Sequence, residues 1–185
     1  MTRLYKVKEI FRTIQGEGYH SGTPAIFVRF AGCNLWTGRE KDRKKSSEKN
    51  EAQCPLWCDT DFVGGDPMSS SDIITACLNL MDETPNGDFI PLVVLTGGEP
   101  ALQGDDELVG RLRDLFKTIA IETNGTMKFK FDRSYVWVTL SPKTSPSDIV
   151  VWGDEVKVIF PEYEPEKYKV MATHRFVQPC DKNGT

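Results

Sequence analysis

The stretch FIPLVVLTGGEP, residues 89–100, decides the fold class. Its first part, residues 89–95, is apolar, as in a buried strand, and the glycine-rich motif at residues 96–100 follows at once. Other segments also read as strands that end in polar residues: 7–14, 25–30, 119–121, 135–140, 155–160 and 175–177. Strands that alternate with helical or loop segments predict an α/β protein with a mostly parallel sheet. A ligand site is then expected at the carboxyl edge of that sheet.

Two segments have apolar residues at helical spacing. Ser70 or Ser71 is expected to cap the first helix, which runs to Met81, and the second helix spans about residues 105–116. Residues 39–51 contain ten charged residues in thirteen and no apolar one, so this segment cannot enter a core. It predicts a solvated loop or a short exposed helix.

The composition limits the classes of protein to consider. The chain has 185 residues, of which 39% are hydrophobic and 27% charged, and its net charge is −4. These values fit a single globular domain over residues 1–185. The mildly acidic balance argues against a nucleic-acid partner. Neither an apolar run of membrane length nor a signal peptide is evident, so we expect no membrane contact and a cytoplasmic location.

Five cysteines cannot all pair with one another, and in a reducing compartment clustered cysteines more often bind metal than form disulfides. Cys33, Cys54 and Cys58 form a loose cluster with the spacing C-x20-C-x3-C. Three thiolates could bind zinc together with a fourth ligand, or an iron–sulfur cluster with one iron left open for a substrate or cofactor. The spacing alone leaves both alternatives open. Cys77 and Cys180 stand apart and are expected to be plain thiols.

Seven motifs, in order along the chain, carry a resemblance to a known family. They are TIQGEG (13–18), PAIFVRFAGCNLW (24–36), WCDTDF (57–62), LTGGEP (95–100), IETNGT (121–126), SPK (141–143) and RFVQP (175–179). Together they resemble the radical S-adenosylmethionine (SAM) superfamily and, more closely, the 7-carboxy-7-deazaguanine synthase family. The superfamily's usual cysteine motif is C-x3-C-x2-C. Here a charged insertion at about residues 37–53, inside the cluster-binding loop, lengthens the first interval. The second interval has one extra residue, which makes Cys54 the least secure ligand.

The resemblance implies a fold, a set of cofactors and a reaction. The fold is a partial, open (β/α) barrel with a reduced number of helices. The implied cofactors are a [4Fe–4S] cluster on Cys33, Cys54 and Cys58, SAM at the open iron, and Mg2+. By this resemblance, a 5′-deoxyadenosyl radical abstracts hydrogen from 6-carboxy-5,6,7,8-tetrahydropterin. Ring contraction with release of ammonia then gives 7-carboxy-7-deazaguanine, in the queuosine and deazapurine pathway. An electron donor such as flavodoxin or ferredoxin and a homodimer are implied as well.

The same resemblance assigns the site residues. The expected pterin-binding residues are Gln15, Glu17, Arg29 and Thr96, and the expected Mg2+ ligand is Thr60. The expected SAM-binding residues are Gly97, Gly98, Glu99, Glu122, Asn124, Ser141, Lys143 and Gln178. Arg29 can pair bidentately with the 6-carboxylate of the pterin. Alternatively, Arg29 belongs to a structural ion pair, and Glu99 caps the segment that follows it. No catalytic side chain is expected beyond the cluster and SAM.

Two other functions remain open at the level of sequence. A glycyl-radical-activating protein or another small radical SAM enzyme would share the cysteines and GGEP (97–100), but has no reason to keep QGEG (15–18), Arg29 and CDT (58–60) together. A non-enzymatic iron–sulfur or zinc-binding module is favoured by the longer cysteine interval. The chain also stops soon after residues 178–179, where family members continue. We therefore expect a dimer partner to complete the pocket, or a diverged or incomplete pocket.

Overall fold

One sheet of eight β-strands organises the fold in the computed structural model, which describes residues 2–83 and 89–180. The strands are β1 (Leu4–Ile14), β2 (Pro24–Phe30), β3 (Asp66–Ser69), β4 (Leu92–Gly97), β5 (Thr118–Thr123), β6 (Val136–Leu140), β7 (Gly153–Phe160) and β8 (Ala172–Pro179). Their spatial order is β3-β1-β2-β4-β5-β6-β7-β8. The last six strands of this order run parallel, and β1 is antiparallel to both of its neighbours. The predicted mostly parallel sheet is therefore confirmed.

The pleat of the sheet separates two faces, because successive side chains of a strand point to opposite sides. One face is apolar. The other, called the polar face below, carries polar side chains near the strand ends and a small apolar cluster nearer the strand starts, formed by Ala25, Leu92, Val94 and Ala120. On β2, the fully buried side chains of Ile26 and Phe30 join the core beneath two helices, α2 (Ser70–Asp82) and α3 (Asp106–Arg113). Arg29 directly precedes Phe30 on this strand, so its side chain points to the opposite face of the sheet. The helices therefore cover one face and leave the polar face to line the cavity described below.

The charged segment forms a short 3-10 turn, Glu40–Asp42, followed by helix α1, Arg43–Asn50. Most of its side chains are exposed, and Ser46 is the buried residue of the helix. The predicted short, exposed helix is therefore confirmed.

The N-cap of α2 is Ser69, so the prediction that Ser70 or Ser71 caps this helix is wrong. The Ser69 hydroxyl accepts from the Asp72 amide at 3.2 Å, and the Asp72 carboxylate accepts from the Ser69 amide at 2.8 Å. This reciprocal pair is a capping box. The sequence pattern did not predict strand β3, whose last residue, Ser69, is the cap. β3 pairs with β1 up to Ser69 and delivers the chain to the helix in an extended conformation.

Strand β4 begins at Leu92, so the prediction of a strand from residue 89 is wrong at its start. Phe89 is 62% exposed and precedes Pro91, which has no backbone N–H to donate to a sheet ladder. Helix α3 likewise ends at Arg113, not at residue 116, and the amide of Leu115 turns back to the carbonyl of Leu112 at 3.1 Å, an i to i−3 bond of the 3-10 type that tightens the last turn.

The second half of the sheet is connected differently from the first. Between β5 and β8, the described chain crosses over through loops and 3-10 turns, without an α-helix. The predicted reduction in the number of helices is therefore confirmed. Within the residues that the structure describes, no helix is long and apolar enough to cross a membrane.

Candidate active site

A cavity of about 250 Å3 lies at the carboxyl edge of the parallel strands, on the polar face of the sheet. Strands β2, β4, β5, β7 and β8 each contribute side chains near their ends, and the loops that follow β2, β5 and β6 complete the wall. The structure brings together almost all the residues predicted for the site. Those that line the cavity are Glu17, Arg29, Cys33, Cys54, Cys58, Thr60, Thr96, Gly97, Gly98, Glu122, Asn124, Ser141, Lys143 and Gln178. Gln15 and Glu99 lie behind the wall.

The cysteine loop absorbs its extra residue in a single turn. Cys54 begins a 3-10 turn, Cys54–Leu56, and its carbonyl accepts from the amides of Trp57 at 3.1 Å and Cys58 at 2.8 Å. Of the two candidates for the additional residue, Pro55 is buried and Leu56 is 55% exposed, and neither lines the cavity. The longer interval between Cys54 and Cys58 therefore still leaves both residues on the cavity wall, beside Cys33.

Two of the three thiols, Cys33 and Cys54, lie in an environment that opposes their charge. Burial raises the pKa of Cys33 to about 11 and that of Cys54 to about 12. Since a metal ligand must be a thiolate, positively charged iron would have to offset this cost. Within residues 2–83 and 89–180, no three His, Cys, Asp or Glu side chains are placed to hold a single metal ion. In an iron–sulfur cluster the thiolates bind different irons and need not converge on one point, so three thiols around one cavity fit that group.

Helix α1 braces the cysteine loop, which the sequence did not reveal. The Arg43 guanidinium donates to the carbonyls of Pro55 at 2.6 Å and Cys58 at 3.1 Å, and it lies 4.6 Å from the ring centre of Trp36. Asn50, at the other end of the helix, donates to the carbonyl of Leu35 at 2.5 Å. The charged insertion is thus fastened to both sides of the cysteine loop.

The two glycines of the GGEP motif bring two loops into backbone contact. A Cβ at Gly97 would lie 2.3 Å from the carbonyl oxygen of Phe30, and a Cβ at Gly98 would lie 2.2 Å from that of Gly32. Both distances are far inside van der Waals contact. Glycine is therefore required here for the approach of the cysteine loop to the end of β4, and both residues still line the cavity.

Glu99 caps the turn that follows it, which is one of the two alternatives left open by the sequence. Its carboxylate is fully buried and accepts from the amides of Ala101 at 3.0 Å and Asn124 at 2.8 Å and from the hydroxyl of Thr123 at 2.7 Å. Burial raises the pKa of Glu99, and these three donors oppose that shift. The side chain thus ties the GGEP motif to the end of β5 from behind the cavity wall.

Replacing Glu99 with alanine is expected to lower the free energy of unfolding by roughly 3–5 kcal/mol, because three buried donors lose their acceptor. Chemical denaturation at neutral pH measures the change. Glu166, an exposed carboxylate paired with Lys169, provides the matched control, and Glu166→Ala should cost about 0.5 kcal/mol or less. A Glu99→Ala variant as stable as that control would contradict the assigned role.

Glu122 is the centre of a polar network on the floor of the cavity. Its carboxylate accepts from the Gln15 amide at 3.2 Å and from the Thr96 hydroxyl at 3.0 Å, and it lies 3.6 Å from Lys157 Nζ. Gln15 is buried behind the cavity wall. Its side-chain oxygen accepts from the backbone amide of Glu17, so it contacts two residues that line the cavity, Glu17 and Glu122. Two of the predicted pterin-binding residues, Gln15 and Thr96, therefore orient a carboxylate of the wall.

Lys157 is a site residue that the sequence analysis missed. It lies on β7 with its side chain only 9% exposed, and its Nζ contacts the carboxylate of Glu17 and lies near that of Glu122. Burial opposes its charge, but Glu122 and Glu17 more than offset this effect and raise the pKa of Lys157. A charged residue in an apolar strand needs a partner, so the sequence of β7 indicates a buried ion pair at Lys157, but it does not indicate which carboxylates form that pair.

Arg29 has an ion-pair partner and also faces the cavity. Its Nε donates to the Glu9 carboxylate at 2.7 Å, so the structural ion pair is present. Among the described residues, its two terminal amino groups have no hydrogen-bond partner, and the side chain lines the cavity. Arg29 can therefore form the structural ion pair with Glu9 and still offer its terminal amino groups to a substrate carboxylate, so the two alternatives do not exclude each other.

The wall beside the cysteines carries a lysine and two amides. Lys143 Nζ donates to the Ser141 hydroxyl at 2.7 Å and lies 5.7 Å from the ring centre of Trp57. Burial lowers the pKa of Lys143 to about 8. Asn124 donates to the side-chain oxygen of Asn34 at 2.9 Å, which joins the end of β5 to the cysteine loop. This part of the wall thus presents donors close to the thiols.

An open, mostly parallel sheet that carries three cysteines and a glycine loop at its carboxyl edge defines a protein with a radical SAM-type fold. The crystal structure of QueE from Escherichia coli matches 95% of this chain and 84% of its own, with a TM-score of 0.66 and 24% sequence identity. This likeness confirms the predicted partial, open barrel.

Sequence comparison then specifies the family. No family model matches the chain. The 7-carboxy-7-deazaguanine synthase of Burkholderia multivorans is 45% identical, and the match covers 96% of this chain and 83% of that protein. The enzyme of the same name from Nitratidesulfovibrio vulgaris is 42% identical over 97% of this chain and 83% of that protein. The chain belongs to the 7-carboxy-7-deazaguanine synthase family.

Proposed function

We propose that this protein is a radical SAM carbon–nitrogen lyase that converts 6-carboxy-5,6,7,8-tetrahydropterin to 7-carboxy-7-deazaguanine in queuosine biosynthesis. The observation that carries the proposal is the composition of one cavity in a member of this family. Thiols line one part of the cavity, and an arginine, two carboxylates and a lysine line another. Substrate and product differ by one molecule of ammonia, so the conversion is redox-neutral overall and SAM can be regenerated.

Cys33, Cys54 and Cys58 are the residues that would hold a [4Fe–4S] cluster. When bound, the cluster and SAM supply the reductive cleavage that makes hydrogen abstraction possible. The chain's own contribution is to place three thiols on one wall and to fasten their loop to α1 through Arg43 and Asn50.

The residues proposed for SAM lie next to that wall. The backbone of Gly97 and Gly98 borders the cavity without side chains to obstruct an approach. Asn124, Ser141 and Lys143 present amide, hydroxyl and ammonium groups that suit the hydroxyl and carboxylate groups of SAM. Gln178 lines the same cavity from β8. These side chains would orient SAM and exclude water from the reacting atoms.

The residues proposed for the pterin lie further along the polar face. The terminal amino groups of Arg29 are available to pair with the 6-carboxylate. Glu17 and Glu122 present carboxylate acceptors for the N–H groups of the aminopyrimidinone ring. The Thr60 hydroxyl, on the same cavity wall, offers a hard oxygen for Mg2+ beside the substrate carboxylate. A flavodoxin or ferredoxin as electron donor and a homodimeric assembly belong to the same proposal.

The proposal is tested by reconstituting the protein anaerobically and supplying SAM, a reductant, Mg2+ and 6-carboxy-5,6,7,8-tetrahydropterin. The expected result is a protein that contains iron and sulfide and forms 7-carboxy-7-deazaguanine together with ammonia, detected by mass spectrometry. Cleavage of SAM without this product would overturn the substrate assignment. A protein that holds zinc without iron or sulfide would overturn the radical SAM assignment and favour a zinc-binding module.

A further inference from the structure

We infer that Lys157 is a positioning residue for substrate binding: it holds the carboxylates of Glu17 and Glu122 aimed at the aminopyrimidinone edge of the pterin. The inference rests on the proposed function, because it concerns the same substrate in the same cavity. It adds a residue and a role that the family resemblance did not supply.

The Lys157 ammonium group joins β7 to β5 and to the loop between β1 and β2. Lys157 lies on β7, Glu122 on β5, and Glu17 in the loop between β1 and β2. Its Nζ lies 3.6 Å from Glu122 Oε1 and makes a shorter contact with Glu17 Oε2. Since β1 and β7 are far apart in the sheet order, this contact fixes the loop across the open face of the barrel.

Lys157 is the cation that balances these two carboxylates. Among the described residues, no other lysine or arginine lies within ion-pair distance of Glu17 or Glu122. The other two cations of the cavity are engaged elsewhere, Arg29 with Glu9 and Lys143 with the Ser141 hydroxyl. Without Lys157, two like charges would face each other in a partly buried site, and each would favour protonation or displacement.

A second contact from β7 holds the same loop. The Glu155 carboxylate accepts from the Tyr19 amide at 2.6 Å and from the Thr139 hydroxyl at 2.6 Å. A Cβ at Gly18 would lie 2.5 Å from Glu155 Oε1, so glycine is needed where the loop meets this carboxylate. The loop is therefore anchored at residue 19 by Glu155 and at residue 17 by Lys157.

This anchoring leaves one carboxylate oxygen of Glu17 available to a substrate. In the described part of the chain, Glu17 Oε1 has no hydrogen-bond partner, while Oε2 contacts Lys157. Glu17 lines the cavity, and its backbone amide is held by Gln15. A charged carboxylate with a fixed orientation is the acceptor that best recognises two adjacent N–H donors, such as those of an aminopyrimidinone ring.

The direction of the Glu122 pKa shift is consistent with the contact between Glu122 and Lys157. Burial favours the neutral form of Glu122, but Lys157, Gln15 and Thr96 reverse that effect and lower the pKa of Glu122. In the wild type, the Glu122 carboxylate is therefore charged throughout the neutral pH range. If Lys157 is removed, the pKa of Glu122 rises, and the charged form is lost as the pH falls. The pair formed by Lys157 and Glu122 is surrounded by four other charged groups: Glu17, Arg29, Lys143 and Glu155.

The test uses the cluster-reconstituted, SAM-loaded protein and two measurements. The first is equilibrium binding of 7-carboxy-7-deazaguanine, which carries the aminopyrimidinone edge and needs no turnover. The second is steady-state conversion of the pterin between pH 6 and pH 8. For Lys157→Met we expect about a tenfold or larger rise in Kd and KM, with a smaller change in kcat. We expect this defect to be larger at pH 6 than at pH 8, whereas the wild-type Kd stays nearly constant.

Two further variants make the result specific. Lys157→Arg keeps the charge and is expected to restore Kd to within about threefold of the wild type. Lys167 is the matched control, because it is exposed and pairs with Glu164, and Lys167→Met should leave both measurements unchanged. If Lys157→Met fails to fold, as judged by its melting temperature, Glu17→Gln carries the test and should raise Kd by a similar factor.

The inference and the proposed function fail in different ways. Wild-type protein that cleaves SAM without making 7-carboxy-7-deazaguanine would contradict the proposed function. An active wild type, together with a Lys157→Met variant that has a normal Kd and an unchanged pH profile, would contradict only the positioning role. Normal binding by Glu17→Gln would contradict it equally.

Discussion

Replacing Cys58 with alanine is expected to abolish both iron–sulfur incorporation and SAM cleavage. Cys58 lies on the cavity wall with Cys33 and Cys54, and these three thiols are the donor set for the proposed cluster. Changes to residues that only support metal ligands already cost about 10- to 100-fold in affinity or activity. The loss of a ligand should therefore reduce turnover by more than about 100-fold. Iron and sulfide analysis after anaerobic reconstitution, together with the rate of SAM cleavage, measures the effect.

Cys180 provides the matched control for this change. It lies just beyond β8, its amide donates to the carbonyl of Phe160 at 2.9 Å, and its side chain does not line the cavity. Cys180→Ala should therefore retain wild-type iron content and SAM cleavage. A Cys58→Ala variant with the same iron content and SAM cleavage as Cys180→Ala would remove Cys58 from the cluster.

Replacing Arg29 with methionine is expected to lower kcat/KM for the pterin by about 100-fold or more, because the substrate carboxylate loses its partly buried cationic partner. The structure supports this magnitude, since Arg29 lines the cavity and its terminal amino groups have no hydrogen-bond partner among the described residues. SAM cleavage in the absence of pterin should be retained. Steady-state kinetics with varied pterin concentration provides the measurement.

Two companion variants separate recognition of the carboxylate from a general loss of structure. Arg29→Lys keeps the charge but not the planar fork of the guanidinium, so it should recover only part of the lost kcat/KM. Arg175→Met changes an exposed arginine on β8 and should leave the kinetics unchanged. Full activity in Arg29→Met would show that the carboxylate is recognised elsewhere in the cavity.

The strand ends were the part of this protein that sequence reasoning predicted well. Apolar runs followed by GGEP, ETNG or SPK placed polar groups at one sheet edge, and the structure brings those groups to one cavity. The prediction works because parallel strands end on the same side of a sheet. Even the longer interval before Cys58 is accommodated locally, by one turn that starts at Cys54.

The remaining features depend on distant contacts that no local pattern encodes. Ser69 became the cap of α2 because β3 pairs with β1, a contact between segments far apart in the chain. Glu99 turned behind the wall because its three donors come from its own loop and from the end of β5. Arg43 lay within a highly charged segment, where nothing distinguished it from its neighbours. The role of Lys157 depends on two carboxylates that its own strand does not contain.

The most direct test of the account is a crystal structure of the anaerobically reconstituted protein with SAM and the pterin, recorded with anomalous diffraction at the iron edge. The account predicts an iron signal bonded to Cys33, Cys54 and Cys58, with SAM between this signal and the pterin. It also predicts the pterin carboxylate at Arg29 and the aminopyrimidinone edge at Glu17. An iron signal bonded to other residues, or a zinc-edge signal alone at these cysteines, would contradict it.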